Sequence, residues 1–174
     1  SRPHIRVFDA DAEVHRLQRP GGAALPEPGD TFPGTVVAGR LDRAALRRAV
    51  IGQPAALRRL ERILHPLVQQ AERRFLGRAR RAGARVAVLD IPLLLETGRE
   101  HLVDLVVVVS APRAVQTHRV RQRGRMDDAQ IAAVIAQQMP DREKRRRAHV
   151  VIQTGLSRFH ALRRLRRLIL ELYR

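Results

Sequence analysis

A chain of 174 residues with 44% hydrophobic content and no cysteine is long enough for one domain with a real core, and it excludes a disulfide framework, a thiol nucleophile and a cysteine zinc site. No apolar run, "LVVVV" after Asp104 included, approaches the roughly 18–20 residues of a bilayer-spanning helix, and no signal core opens the sequence, so a cytoplasmic protein without a membrane is expected. The formal charge of +17 fits either a polyanionic partner or a GC-rich coding bias, since Lys144 is the one lysine among 34 basic residues; with 3% aromatics, stacking platforms are scarce and no specific nucleic acid is expected.

Residues 5–8, "IRVF", read as a strand ending at Asp9, and "AEVHRL" continues as a helix with Asp11 as its cap. A Pro/Gly-rich loop covers 19–34. Helical spacing follows at 41–50 and 54–83, with His65-Pro66 closing a helix on the way. "RVAVLD" (85–90) and "LVVVVSAP" (105–112) are β-branched runs expected to be buried on both faces. Helices are predicted over 113–123 and 127–138, a solvated charge cluster at 142–147, a strand at 150–152 and an amphipathic helix at 157–173. Strands alternating with helices argue a parallel α/β sheet. In such sheets ligands bind beyond the carboxyl ends of the strands, which singles out Asp9, Asp90 and Ser110.

Several stretches come in an order that resembles one family. They are "FDAD" with His15, "LDRAAL" (41–46), "LERILHP" (60–66), "DIPLLLE" (90–96), "VVVVSAP" with "QTHRVRQR", and "AQQMPDREKRRRA" leading into "VVI". Together they resemble the dephospho-coenzyme A kinases, P-loop kinases that phosphorylate the ribose 3′-hydroxyl of dephospho-CoA, the last step of coenzyme A biosynthesis. The resemblance implies an α/β P-loop nucleotide-kinase fold in a single domain, a helical CoA-binding part at about 35–83, a lid at about 113–147, and ATP with Mg²⁺ as requirements.

By this resemblance Asp9 is the base that takes the proton of the attacking hydroxyl. Asp11 is either a substrate contact or the helix cap, and His15, four residues on, either a substrate contact or an Asp–His surface pair. Arg43 and His65 fall in the CoA-binding part, with helix-end capping as the alternative. Asp90 holds magnesium, directly or through water, with Glu96 a weaker candidate. Arg119 and Arg123 correspond to arginines that reach ATP phosphates from the lid, or else form a solvated basic face. Arg145 and Arg146 are further lid contacts.

The same resemblance calls for a strand and a G-x-x-x-x-G-K-[ST] loop ahead of Asp9. No such run occurs in the 174 residues, which open at Ser1. An N-terminal truncation is the expectation, and with it a gap in the middle of the sheet between 85–90 and 105–110, a partly folded or aggregation-prone chain, and no activity from these residues alone. Leu95, His149 and Gln153 depart from the family pattern at the adenine end. A non-catalytic CoA-binding relative and a basic nucleic-acid-binding protein are the alternative readings.

Overall fold

The structure is a computed structural model and describes residues 5–24, 31–124, 127–136 and 138–173. The chain divides into two compact units, Ser1–Pro92 and Leu93–Arg174. Among the described residues, no helix is long and apolar enough to cross a membrane.

In the first unit, strand β1 (Ile5–Asp9) runs straight into helix α1 (Ala10–Leu17). A hairpin of β2 (Val36–Val37) and β3 (Arg40–Leu41) precedes α2 (Arg43–Val50) and α3 (Pro54–Arg81), and β4 (Val86–Asp90) closes the unit. β1 and β4 pair in parallel, from Ile5 opposite Val86 to Asp9 opposite Asp90. The helices between them form the crossover that a parallel pair requires. Phe8 of β1 meets Phe75 of α3 with ring centroids 5.5 Å apart. Phe32, Leu46 and Leu60 form a small core against Leu41, Val50 and Leu64.

In the second unit, a 3-10 turn (Glu100–Leu102) leads to β5 (Val107–Ser110), α4 (Arg113–Gln122), α5 (Asp128–Ala136), α6 (Asp141–Arg147), β6 (Val150–Gln153) and α7 (Arg158–Leu172). β5 and β6 pair in parallel, from Val107 opposite Val150 to Ser110 opposite Gln153. Leu95, Val106 and Val108 anchor the core, with Leu94, Val103, Met139 and Ala148 packed on them. β4 has β1, and β5 has β6, as its one ladder partner among the described residues.

Four expectations change. The cap of α1 is Asp9, not Asp11: the Asp9 carboxylate accepts the Ala12 N–H at 2.8 Å while Asp11 sits in the first turn. The helix does not close at His65-Pro66; α3 runs through Pro66, because apolar residues on both sides of the proline keep the same buried stripe and outweigh one missing hydrogen bond. Burial on both faces does not hold for β4 and β5. Val106, Val108 and Ser110 are buried, but Val109 is 66% exposed and Val88 41%: β5 alternates, with one face covered, and β4 has no buried residue. The charge run at 142–147 lies in a helix, α6, whose inward positions are filled by charged residues with partners. The loop assigned to 19–34 lies partly, at 25–30, outside the described residues, as does Gln137 near the end of the predicted 127–138 helix.

Candidate functional site

The carboxyl ends of β1 and β4 bring two acids side by side. Asp9 and Asp90 are register partners, and neighbouring strands lie about 4.8 Å apart, so both exposed side chains rise from adjacent strand ends. The strand-to-helix junction explains the crowding of acids at 9–13. Asp9 has extended backbone (φ −107°, ψ 110°) and caps α1, with Asp11 and Glu13 in the first turn, where acids favour the positive end of the helix. One Asp9 oxygen is thereby held and the other left open to solvent. Glu13 is engaged with Arg16 (Nε to Oε2, 2.9 Å). Its carboxyl sits below the ordinary range because the hydrogen bond and charge of Arg16, helped by Arg78, outweigh burial.

Asp11 and His15 are exposed, and no hydrogen bond joins them among the described residues. Arg43 opens α2 behind the Asp42 cap, and its guanidinium donates to the His15 carbonyl at 3.4 Å. Arg43 thus reaches α1, and its remaining donors stay exposed. His65 lies in mid-helix on α3, where helix-end capping is not open to it, and lines an open groove of about 480 Å³ with Arg58, Arg59 and Arg62.

In the second unit the strand ends are occupied by the protein itself. Ser110 is 3% exposed and its hydroxyl donates to Asp141 at 2.9 Å, so it is a structural tie and not the ligand-facing residue its position suggested. The Ser110 carbonyl accepts the Thr154 N–H at 2.8 Å. Arg119 donates to the Thr154 carbonyl at 2.6 Å and to its hydroxyl at 3.1 Å. Thr154 was not foreseen. Its signal was the turn after β6, where Gly155 has no room for a side chain: a Cβ there would lie 2.5 Å from Pro112 Cδ. Arg123, the residue after α4, is exposed, as are Arg145 and Arg146 on α6, and none of these three has an ion-pair partner among the described residues.

The departures noted at Leu95, His149 and Gln153 find separate places. Leu95 is core. His149 lies at the amino end of the β5–β6 pair, where its Nδ1 accepts the Val106 N–H at 2.9 Å and does the work of an acceptor. Gln153 alone is at a carboxyl end. Glu96 is paired with Lys144 at 2.6 Å and so is engaged inside its own unit.

Among the described residues no group of three or more acids and histidines could hold a metal ion. A pair of carboxylates at strand ends still fits magnesium, which commonly takes one or two protein carboxylates and fills its other positions with water and phosphate oxygens.

The family model for dephospho-CoA kinase matches residues 2–157. The chain is 52% identical over 172 residues to the dephospho-CoA kinase of Gluconobacter oxydans, covering 97% of this chain and 86% of that one. Its fold is similar to a crystal structure of a Thermus thermophilus protein, with a TM-score of 0.79 and 34% identity over 97% of this chain and 85% of the other. It is also similar to a dephospho-CoA kinase from Campylobacter jejuni, with a TM-score of 0.65 and 19% identity over 96% and 86%, a likeness of fold alone.

Proposed function

The chain belongs to the dephospho-CoA kinase family, and on that premise we propose that it takes part in ATP-dependent phosphorylation of the 3′-hydroxyl of dephospho-CoA, with Asp9 as the base. The observation that carries this reading is the pairing of Asp9 and Asp90 at adjacent strand ends. The Ala12 N–H fixes one Asp9 oxygen, so the other is oriented to accept the hydroxyl proton. The hydroxyl oxygen then bonds to the γ-phosphorus as the β–γ bridging bond breaks, and ADP leaves.

Asp90 is the carboxylate to hold Mg²⁺, directly or through water; the ion would offset charge on the phosphate oxygens. Asp11, His15, Arg43 and His65 form the substrate side in the first unit, within or beside the helical part at about 35–83. Arg119, Arg123, Arg145 and Arg146 form the nucleotide side in a lid at about 113–147. Arg119 is pre-oriented by Thr154, which restricts a long side chain before any phosphate arrives. The 174 residues hold no G-x-x-x-x-G-K-[ST] run, so the amides and lysine that cradle phosphates in P-loop enzymes are not supplied by them, and these residues alone turn over no substrate.

The test is a kinase assay with ATP, Mg²⁺ and dephospho-CoA on two proteins: these 174 residues, and the same chain carrying a strand and phosphate loop ahead of Ile5. Turnover is expected only in the second, and it should vanish with Asp9→Asn. Turnover by the 174 residues alone, or in the Asp9→Asn variant, overturns the reading. Binding of dephospho-CoA without transfer in either protein supports the non-catalytic alternative instead.

A further inference from the structure

Helix α6 has the sequence Asp-Arg-Glu-Lys-Arg-Arg-Arg, with no apolar residue to bury, so something other than a hydrophobic stripe must hold it. Three positions spaced by three residues, hence on one side of the helix, provide the hold. Asp141 accepts from the buried Ser110 hydroxyl at 2.9 Å. Lys144 meets Glu96 at 2.6 Å. Arg147 pairs with Glu100 and donates to the Leu95 carbonyl at 3.4 Å. The central tie is the most enclosed of the ion pairs in this unit, with Lys144 and Glu96 side chains 19% and 16% exposed. The same Glu96 oxygen accepts the Met139 N–H at 3.2 Å, so one carboxylate grips both the approach to Pro140 and the helix after it. The second Glu96 oxygen is buried with no partner among the described residues, which makes the carboxylate costly to keep unless its first oxygen is well used.

Every other cation in the chain is arginine. A compact ammonium can sit on one carboxylate oxygen, whereas a planar guanidinium is shaped for a bidentate fork. The Lys144 ammonium, on a single Glu96 oxygen, has the shape this contact suits. Arg142, Arg145 and Arg146, off the tied side, are exposed.

We propose that Lys144 is a positioning residue: its pairing with Glu96 pins α6 to the second unit and so holds Arg145 and Arg146 outward for a triphosphate. The inference rests on the reading of those two arginines as nucleotide contacts. The burial of Glu96 acts to raise its pKa, and the Lys144 and backbone hydrogen bonds bring it below the ordinary value, as a pin that is charged at neutral pH requires.

The test uses the 174-residue chain with Lys144→Gln, Glu96→Gln, the double variant, and Arg145→Ala/Arg146→Ala. Hydrogen exchange read by mass spectrometry should show protection of residues 141–147 falling about tenfold in each single variant and no further in the double, since each change removes the same pairing while the amide oxygen of Glu96→Gln can still accept the Met139 N–H. Unchanged protection, or losses that add, overturns the pin. Binding of inorganic tripolyphosphate is the second readout. Glu96→Gln removes one negative charge and so raises the net positive charge by one; general attraction would then tighten binding, whereas loss of position weakens it, by about threefold or more. Tighter or unchanged binding in Glu96→Gln overturns the positioning role. Glu96→Gln also carries the result if Lys144→Gln does not fold. Indifference of tripolyphosphate to Arg145→Ala/Arg146→Ala overturns the nucleotide role of α6, and the exchange data separate that failure from failure of the pin.

Discussion

The first unit keeps its chemistry open and the second keeps its own closed. At the β1 and β4 ends, Asp9 spends one oxygen on a helix cap, and Asp11, His15, His65 and Asp90 are exposed. At the β5 and β6 ends, Ser110, Asp141, Thr154 and Arg119 are bonded to one another, and Lys144 and Arg147 are bonded to glutamates. The difference teaches how to rank candidates. A group held in place with a valence to spare suits a reacting centre, because it is oriented without being consumed. A group whose donor is fully committed, as the Ser110 hydroxyl is to Asp141, suits the scaffold, whereas Arg119 gives two of its five N–H donors to Thr154 and is held in place with donors to spare.

The sharpest way to break the comparison is at Asp9. In a chain carrying a phosphate loop ahead of Ile5, Asp9→Asn should lower kcat by about 10²–10⁴-fold, the usual contribution of a general base, with nucleotide affinity unchanged. The amide oxygen still accepts the Ala12 N–H, so the cap survives and only the proton acceptor is lost. Asp11→Asn should change kcat by less than about threefold, since Asp11 neither caps the helix nor ends a strand. Equal effects from the two variants would erase the distinction between a held and a free acid.

Pro66 offers the next largest effect. A proline inside a helix removes a hydrogen bond and crowds the preceding turn, at about 3 kcal/mol, and α3 continues to Arg81 regardless. Pro66→Ala should stabilise the chain by about 1–3 kcal/mol, read as a shift of the denaturation midpoint at constant m-value. If Pro66 sets the direction of His65, dephospho-CoA binding weakens in the same variant. A more stable protein with unaltered binding would leave His65 as surface.

What could be read from the sequence, and what could not, follows the same physics. Strand and helix order was legible because apolar periodicity reports burial, and Asp9 and Asp90 were legible because acids that interrupt β-branched runs end strands. The cap was misjudged by two residues. Asp9 and Asp11 are both good caps by type, and only the backbone decides where the helix begins. The continuation through Pro66 was hidden because local rules weigh the proline and not the packing on either side of it. Helix α6 left no apolar trace, being held by ion pairs whose partners lie about 50 residues away at Glu96 and Glu100. The two-residue strands at 36–37 and 40–41 are too short for alternation to show. Burial of Ser110 depended on Asp141, distant in sequence and invisible to any local pattern.

Acid titration separates the two units further. Glu96 has its pKa lowered in the folded chain, so it contributes stability at neutral pH that is lost as pH falls from about 4.3, the ordinary glutamate value, through the lower folded one. Glu13 is lowered in the same sense by Arg16, but that arginine is 60% exposed, so solvent screens the pair and it adds little to stability. Glu96→Gln should therefore flatten the loss of stability below about pH 4.3, and Glu13→Gln should leave the curve nearly as it was. The reverse ranking would show that the enclosed pair at Lys144 does not carry the acid sensitivity.

The smallest effect belongs to the β2–β3 hairpin of the first unit. Ala38 and Gly39 form its two-residue turn with φ of +49° and +70°, the pattern of a type I′ turn, in which both central residues take left-handed backbone. Gly39 does so without strain, but Ala38 carries a Cβ that crowds the following carbonyl, at roughly 1 kcal/mol. Asparagine tolerates this conformation far better, and Asn-Gly is the favoured pair for such a turn. Ala38→Asn is thus expected to stabilise the chain by about 0.5–1 kcal/mol. Because the hairpin leads directly to Asp42, whose side chain caps α2 and whose N–H bonds Thr35, a stiffer turn also holds Arg43 more firmly near α1. The gain should appear as slower hydrogen exchange across 35–46 with no change at 141–147, and a uniform change in both segments would mean that the two units do not respond separately.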